Sequence, residues 1–249
     1  MARIVAGRNP VIEALKADRV ERLLISESAT EDKGLKAVLH HAEAAGVRPE
    51  RVPAGMIERH SAGVAHQGVV AFCEERESYS LNEVLDIAHS RNEPPFLILL
   101  DGVEDPHNLG AILRVADGAG AHGVVIPGRG ATGVTPTVSK SSAGAAEHVP
   151  VVQVGSLTDA VLTLKRANVW VGMAEANAGK FHYQENLTGA LALVMGSEGY
   201  GVSHPVAKHC DFAVKIPLLG SVTSLNVSVA TAILCYERVR QNAQGKPKR

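Results

Sequence analysis

From residue 96 onward the chain returns again and again to short, uninterrupted apolar runs: PFLILLD, AHGVVIP, HVPVVQV, VWVGMA, ALALVMG and FAVKIP. A strand covered on one face alternates apolar and polar residues. A run that is apolar at nearly every position needs cover on both faces. Helical patterns separate these runs, and parallel strands need such crossovers. The expectation is an α/β fold with a mostly parallel sheet between helices. Sheets of this kind bind ligands in the crevice beyond the carboxyl ends of their strands, so the loops after the runs are where function is sought.

The front of the chain alternates in its own way. NPVIEALKA reads as a helix and VERLLIS as a strand. DKGLKAVLHHAEAAG follows as a helix with an acidic cap and a glycine stop, then VRPERVP as a strand, AGMIERHSAG as a short helix and QGVVAFC as a strand. Next comes a polar stretch, EERESYSLNEVLDIAHSRNEPP, in which only Leu81, Val84, Leu85 and Ala88 keep helical spacing. The expected organisation is an α/β domain over 1–75, a linker carrying one helix over 76–93, and a second α/β domain over 94–249.

Composition narrows the partners. The chain is 45% hydrophobic and 20% charged, as ordinary globular proteins are. A net charge of −1 removes the argument from global basicity for nucleic acid, and 4% aromatic residues leave little for stacking platforms. Arg238, Arg240, Lys246, Lys248 and Arg249 read as a solvated basic tail. In domain one, Arg3, Arg8, Arg22, Lys33, Lys36 and Arg51 are candidates for phosphate contact, but acidic residues interleave with them and solvated surface is the preferred reading for any one of them. The three cysteines, Cys73, Cys210 and Cys235, are far apart, and the histidines fall in no ligand spacing. No metal site or disulfide framework is expected, and a reducing cytoplasm fits. No run approaches the length of a membrane helix.

GRGATG, residues 128–133, matches the glycine fingerprint of dinucleotide-binding folds. That motif must open directly into a helix, with an acidic residue ending a strand some way on. Here Val134, Thr135 and Pro136 follow, and Pro136 disfavours helix at the residue before it. GRGATG is read as a loop, and an oxidoreductase resting on it as the weaker alternative.

Three other strand ends carry more polar chemistry than a loop needs. DGVEDPHNLGAILR supplies Asn108, Gly110 and Arg114, and its Asn-x-Gly turn sets Arg114 early in the helix that follows. ALALVMGSEGYGVS supplies Gly196, Glu198, Gly199 and Gly201. KIPLLGSVTSLNVSVATAILCYE ends a strand at Ile216-Pro217 and places Ser221, Ser224 and Asn226 before a long helix with a core stripe of Val227, Val229, Ala230 and Ile233. Singly, each has a structural reading: Asn108 or Asn226 as a helix cap, Glu198 as a turn charge. Together they set a guanidinium, a carboxylate, amides and hydroxyls at one edge of a sheet.

The spacings N-x-G-x-x-x-R (Asn108, Gly110, Arg114), G-x-E-x-x-G (Gly196, Glu198, Gly201) and P-x-x-x-x-V-x-S-L-N-x-x-x-A (Pro217, Val222, Ser224, Leu225, Asn226, Ala230) resemble, in order, the three motifs of the SpoU/TrmH family of the SPOUT RNA methyltransferases. The resemblance covers about residues 96–241. AGRNPVIEAL and VAHQGVVA are similar to the L30e/L7Ae-like RNA-binding domain of the members that methylate a guanosine in 23S rRNA. The resemblance implies a C-terminal trefoil knot, a homodimer to which the last helix and the Asn108 region contribute, and S-adenosylmethionine bound in the knot by Met195, Gly196, Ile216, Leu218, Ser224 and Leu225. It further implies ribose 2′-O-methylation of large-subunit rRNA or its precursor. The resemblance makes Arg114 the key residue, described in the family as the base. Because a guanidinium lacks a free lone pair, the preferred reading is that it grips a phosphate and stabilises the developing alkoxide, with Asn108 and Glu198 orienting it and Ser224 and Asn226 positioning the ribose or cofactor. The structural alternative for Arg114 is a pair with Asp117 or Glu198. The functional alternatives are tRNA or another rRNA site, including the resistance type, and a non-catalytic assembly factor.

Overall fold

The computed structural model describes residues 3–61, 63–74, 79–128 and 133–244. It divides into two compact units, Met1–Glu77 with Gly133–His148, and Ser78–Thr132 with Val149–Arg249.

The first unit is built on β1 (Arg3–Ala6), α1 (Arg8–Lys16), β2 (Val20–Ser26), α2 (Lys33–Ala44), β3 (Pro49–Val52), α3 (Ala54–His60) and β4 (Val69–Cys73). Its strands form one sheet in the order β1-β4-β2-β3. β4 runs antiparallel to both its neighbours, and β2 and β3 are parallel. One face packs Leu23, Ile25, Val69 and Ala71 against Val11, Leu15, Leu35 and Val38 of α1 and α2. α2 starts where Asp32 accepts the backbone N–H groups of Gly34 and Leu35. β1 is a four-residue edge strand that the sequence pattern did not isolate.

The second unit starts with α4 (Leu81–Ser90), which Ser80 and Glu83 open with a reciprocal capping box. The sequence places this helix in a linker. Its Val84 and Leu85 are instead buried against Leu97, Leu99 and Val125 of the large sheet, so the helix belongs to that unit's core. β5 (Phe96–Asp101), α5 (Pro106–Gly118) and β6 (Gly123–Pro127) follow. Residues 129–132 of the GRGATG loop lie outside the described residues.

Gly133–His148 then belongs to the first unit. A helix does follow the GRGATG loop, but it starts only at Pro136. Pro136 occupies the first turn of α6 (Pro136–Ser141), with Thr135 as cap, the position where proline's missing N–H costs nothing. A short 3-10 turn at Ala145–Glu147 brings Glu147 to Arg3, and both terminal guanidinium nitrogens, Nη1 and Nη2, reach the carboxylate at 2.7 and 2.6 Å.

The second unit resumes with β7 (Val151–Val154), α7 (Leu157–Arg166), β8 (Trp170–Ala174), β9 (Lys180–Phe181), β10 (Leu191–Gly196), α8 (His204–Ala207), β11 (Phe212–Lys215) and α9 (Val227–Gln244). Among the described residues, its seven strands lie in the order β7-β6-β5-β10-β8-β11-β9. Every pairing in this sheet is parallel, as the apolar runs predict. The central strands are buried on both faces: Phe96 to Leu100 and Leu191 to Met195 are all at most 1% exposed.

α9 differs from its expected stripe. Val227, Thr231, Leu234 and Cys235 are buried, whereas Val229 is 47% exposed and Ala230 and Ile233 are half-buried. Nor is Arg238 part of a solvated tail. It is buried, with its guanidinium 4.1 Å from the Phe96 ring centre and donating to the Gly189 carbonyl. Burial pushes its pKa below the ordinary arginine value. Residues 245–249 lie outside the described residues. Among the described residues, no helix is long and apolar enough to cross a membrane, and no group of three or more His, Cys, Asp or Glu is placed to hold a metal.

Candidate active site

The carboxyl ends of β10, β8 and β11 and the loops beyond them enclose a pocket of about 370 Å³. Its wall includes Met195, Gly196, Ile216, Leu218, Ser224 and Leu225, all six residues singled out for the cofactor. Two backbone features shape it. Gly196 lies so close to the turn after β10 that a Cβ there would sit 2.0 Å from the Gly201 carbonyl carbon. The turn closes through reciprocal backbone bonds between Ser197 and Gly201 at 3.1 and 3.0 Å, and Gly199 and Gly201 take positive φ. Asp101, at the end of β5, braces the same segment by accepting the Ser203 N–H at 2.7 Å.

One amide joins the three motifs. Asn226 Nδ2 donates to Asn108 Oδ1 at 2.9 Å and to Glu198 Oε1 at 2.7 Å. Its Oδ1 accepts the Ser228 N–H at 3.0 Å and the Ser228 hydroxyl at 2.6 Å, which caps α9. Glu198 Oε1 also accepts the Val227 N–H at 3.3 Å, so the carboxylate sits where the positive end of the helix dipole favours it. Glu198, Ser224 and Leu225 line the pocket, and Asn226 and Asn108 adjoin it through Glu198.

Arg114 stands apart from this cluster. Asp105 caps α5 and Pro106 opens it, so the helix starts before Asn108 rather than after it. Arg114 therefore sits in the second half of α5, not early in it. It is exposed and makes no ion pair or hydrogen bond among the described residues. Neither the expected orientation by Asn108 and Glu198 nor the alternative pair with Asp117 or Glu198 is present. Asn226 holds Asn108 and Glu198 instead.

Sequence reasoning passed over Glu175, which follows β8 directly and shares the pocket wall. A carboxylate one residue past an apolar run was the available signal.

In the first unit, four of the six candidate residues for phosphate contact have acidic partners. Arg3, Arg8, Arg22 and Arg51 are paired with Glu147, Asp32, Glu50 and Glu31. Arg22 and Glu50 sit on the neighbouring strands β2 and β3, and the Arg3 side chain is nearly buried with that of Glu147 wholly so. Lys33 and Lys36 have no ion pair among the described residues. A cleft of about 410 Å³ in this unit is bordered by Ser28, Thr30, His66 and Gln67.

A parallel sheet whose strand ends hold this motif cluster defines a class, and comparison with known proteins identifies it. Residues 95–236 match the SpoU rRNA Methylase family, and residues 4–79 match the RNA 2′-O ribose methyltransferase substrate binding family. The chain belongs to the SpoU methylase family. It is 42% identical over 238 residues to the putative TrmH family tRNA/rRNA methyltransferase YacO of Bacillus subtilis, covering 95% of each chain. It is 42% identical over 245 residues to the 23S rRNA (guanosine-2′-O-)-methyltransferase RlmB of Escherichia coli K12, covering 98% of this chain and all of that one (100%). Among solved structures, the SpoU methyltransferase AviRb of Streptomyces viridochromogenes in complex with AdoMet superposes with a TM-score of 0.78 at 26% identity, covering 97% of this chain and 91% of that one.

Proposed function

We propose that this protein transfers a methyl group from S-adenosylmethionine to the ribose 2′-hydroxyl of a guanosine in 23S rRNA, in the peptidyl-transferase P loop. The observation that carries the reading is the Asn226 amide, which ties Asn108 and Glu198 together beside the strand-end pocket.

The pocket suits the cofactor. Its volume of about 370 Å³ is of the size that takes a molecule of a few tens of atoms, roughly 300–1,000 Å³ in general. Among the described residues the loop from Leu218 to Leu225 donates no backbone hydrogen bond, so its N–H groups are available to a ligand. Gly196, Ile216, Leu218 and Leu225 line the pocket together with Met195 of β10. The cofactor supplies the activated methyl.

The chain's own residues align the hydroxyl; as the new O–CH3 bond forms and the S–CH3 bond breaks, the hydroxyl proton passes to solvent water and S-adenosylhomocysteine leaves. A guanidinium lacks a free lone pair, so Arg114 serves as a fixed positive charge and not as a base. Exposed and unpaired, it is free to clamp an RNA phosphate in bidentate fashion and to stabilise the alkoxide as it forms. Asn226 fixes the site's walls, and Ser224 offers its hydroxyl from the pocket wall to the ribose or cofactor.

The remaining assignments follow the family. The loops carrying the second and third motifs form a trefoil knot. A homodimer covers the face of α9 on which Val229 and Tyr236 are 47% and 52% exposed, with the Asn108 region beside it. The first unit holds RNA through Lys33, Lys36 and the polar cleft at Ser28, Thr30, His66 and Gln67. The cytoplasm is the compartment.

The test is transfer of labelled methyl to unmodified 23S rRNA, followed by mapping of alkali-resistant linkages. One resistant site in the P loop is expected. Label elsewhere, or in tRNA alone, overturns the target. No label in any RNA points to a non-catalytic assembly factor.

A further inference from the structure

We infer that Glu175 holds the ribose hydroxyls of the cofactor's adenosine. This rests on the reading of the pocket as the S-adenosylmethionine site.

β8 lies between β10 and β11, parallel to both, so its carboxyl end opens into the middle of the pocket floor. Glu175 is the first residue past that end. Its backbone N–H is fixed to the Val214 carbonyl at 3.0 Å, and its Oε1 accepts the Asn177 N–H at 3.3 Å. The carboxylate is thus oriented by its own turn. Oε2 points across the pocket, 3.8 Å from where a Cβ on Gly201 would stand, and Gly201 has no side chain to fill the gap. Among the described residues Oε2 has no hydrogen-bond or ion-pair partner.

Among the described residues, two carboxylates line this pocket, Glu175 and Glu198. Glu198 is committed to Asn226 and the start of α9. Glu175 is the one left to meet a ligand. An ionised carboxylate only accepts hydrogen bonds, and its two oxygens match the two adjacent O–H donors of a ribose. Parallel sheets that bind nucleotides use an Asp or Glu near a strand end for this purpose. Arg114 lies on α5, the helix that follows β5, so in the proposed reading the ribose to be methylated approaches from that side. β8 is two strands away from β5 in the sheet order, about 10 Å, which leaves the nucleoside end of the cofactor for Glu175.

The experiment is calorimetric titration of the full chain with two ligands. S-adenosylhomocysteine carries both the ribose and the amino-acid arm. 5′-Methylthioadenosine keeps the ribose and lacks the arm. Glu175→Ala should weaken both ligands by the same factor, about tenfold to a hundredfold, as expected for loss of hydrogen bonds to a charged group. Glu175→Gln, which retains one acceptor, should weaken both less. A loss confined to S-adenosylhomocysteine would place the carboxylate on the ammonium group and overturn the assignment. Unaltered affinity for both would overturn it as well. If the unaltered chain binds neither ligand, the cofactor reading itself falls. Melting temperatures of the ligand-free variants identify any that fold poorly, and the Gln variant then carries the test.

Discussion

Asn226 performs two separable tasks, and replacing it in two ways takes them apart. Its Oδ1 caps α9 through Ser228, and its Nδ2 bridges Asn108 and Glu198 at 2.9 and 2.7 Å. Asn226→Ala removes both. Loss of a cap costs about 1 kcal/mol. The bridge lies at the surface, so its two bonds add roughly 0.5–1 kcal/mol after discounting for solvent. The sum, about 1.5–2 kcal/mol, corresponds to a fall of about 3–8 °C in melting temperature for a chain of this size. Asn226→Ser keeps an oxygen for the cap and loses the bridging donor, so it should melt within about 1 kcal/mol of the unaltered protein. Both variants should lose about a hundredfold in turnover, because the walls that align the ribose are no longer held to within an ångström. Differential scanning calorimetry and the methyl-transfer assay read the two effects. Wild-type turnover by Asn226→Ser would show that the bridge has no part in the reaction. Equal melting of the Ala and Ser variants would refute the capping assignment.

Other expectations are more direct. Arg114→Ala should retain stability within about 0.5 kcal/mol, since the residue is an exposed position without a partner. It should keep its affinity for S-adenosylhomocysteine and lose turnover; normal methylation by this variant removes Arg114 from the mechanism. Gly196→Ala places a Cβ 2.0 Å from backbone at Gly201, whereas Gly220→Ala meets nothing within 4 Å. Only the first should abolish the thermal shift produced by S-adenosylhomocysteine, and equal shifts would contradict the packing. Arg240 and Gln241 bond the Glu237 carboxylate and hold its pKa down from 4.5 to about 2. A depressed carboxylate contributes stability above its unfolded pKa and loses it as pH falls through the folded value. The stability advantage over Glu237→Gln should therefore be full near neutrality and close between pH about 4.5 and about 2 in urea titrations. An advantage that survives at pH 2 would mean it does not come from the ionised carboxylate.

The strands of the large sheet were legible because they are buried on both faces, which writes an unbroken apolar run into each. β1 and β9 were not. Four residues beginning with arginine, or two beginning with lysine, carry no pattern to read. The start of α5 was present in the letters, since Asp105 followed by Pro106 is a capping signature, but Asn108 and Gly110 resembled a turn and hid it. Gly110 proves to be a buried residue inside the helix. The chemistry of the site was legible by residue type and not by pairing. That Asn226, rather than Arg114, would hold Asn108 and Glu198 depends on side-chain geometry between segments far apart in the chain. The same holds for the charges of the first unit. Arg22 meets Glu50 and Arg51 meets Glu31 across neighbouring elements, pairings that the sequence does not show.

The salt bridge between Arg3 and Glu147 also sets a timetable. The two residues are 144 positions apart, yet both belong to the first unit. At roughly 5–20 residues per second on a ribosome, Glu147 is made about 7–30 seconds after Arg3. Throughout that interval β1 is an edge strand whose guanidinium has no carboxylate and whose α6 cover does not yet exist. The first unit, although it opens the chain, cannot finish folding until part of the second has been synthesised. The nascent protein thus passes through a stage in which its leading domain waits on its trailing one.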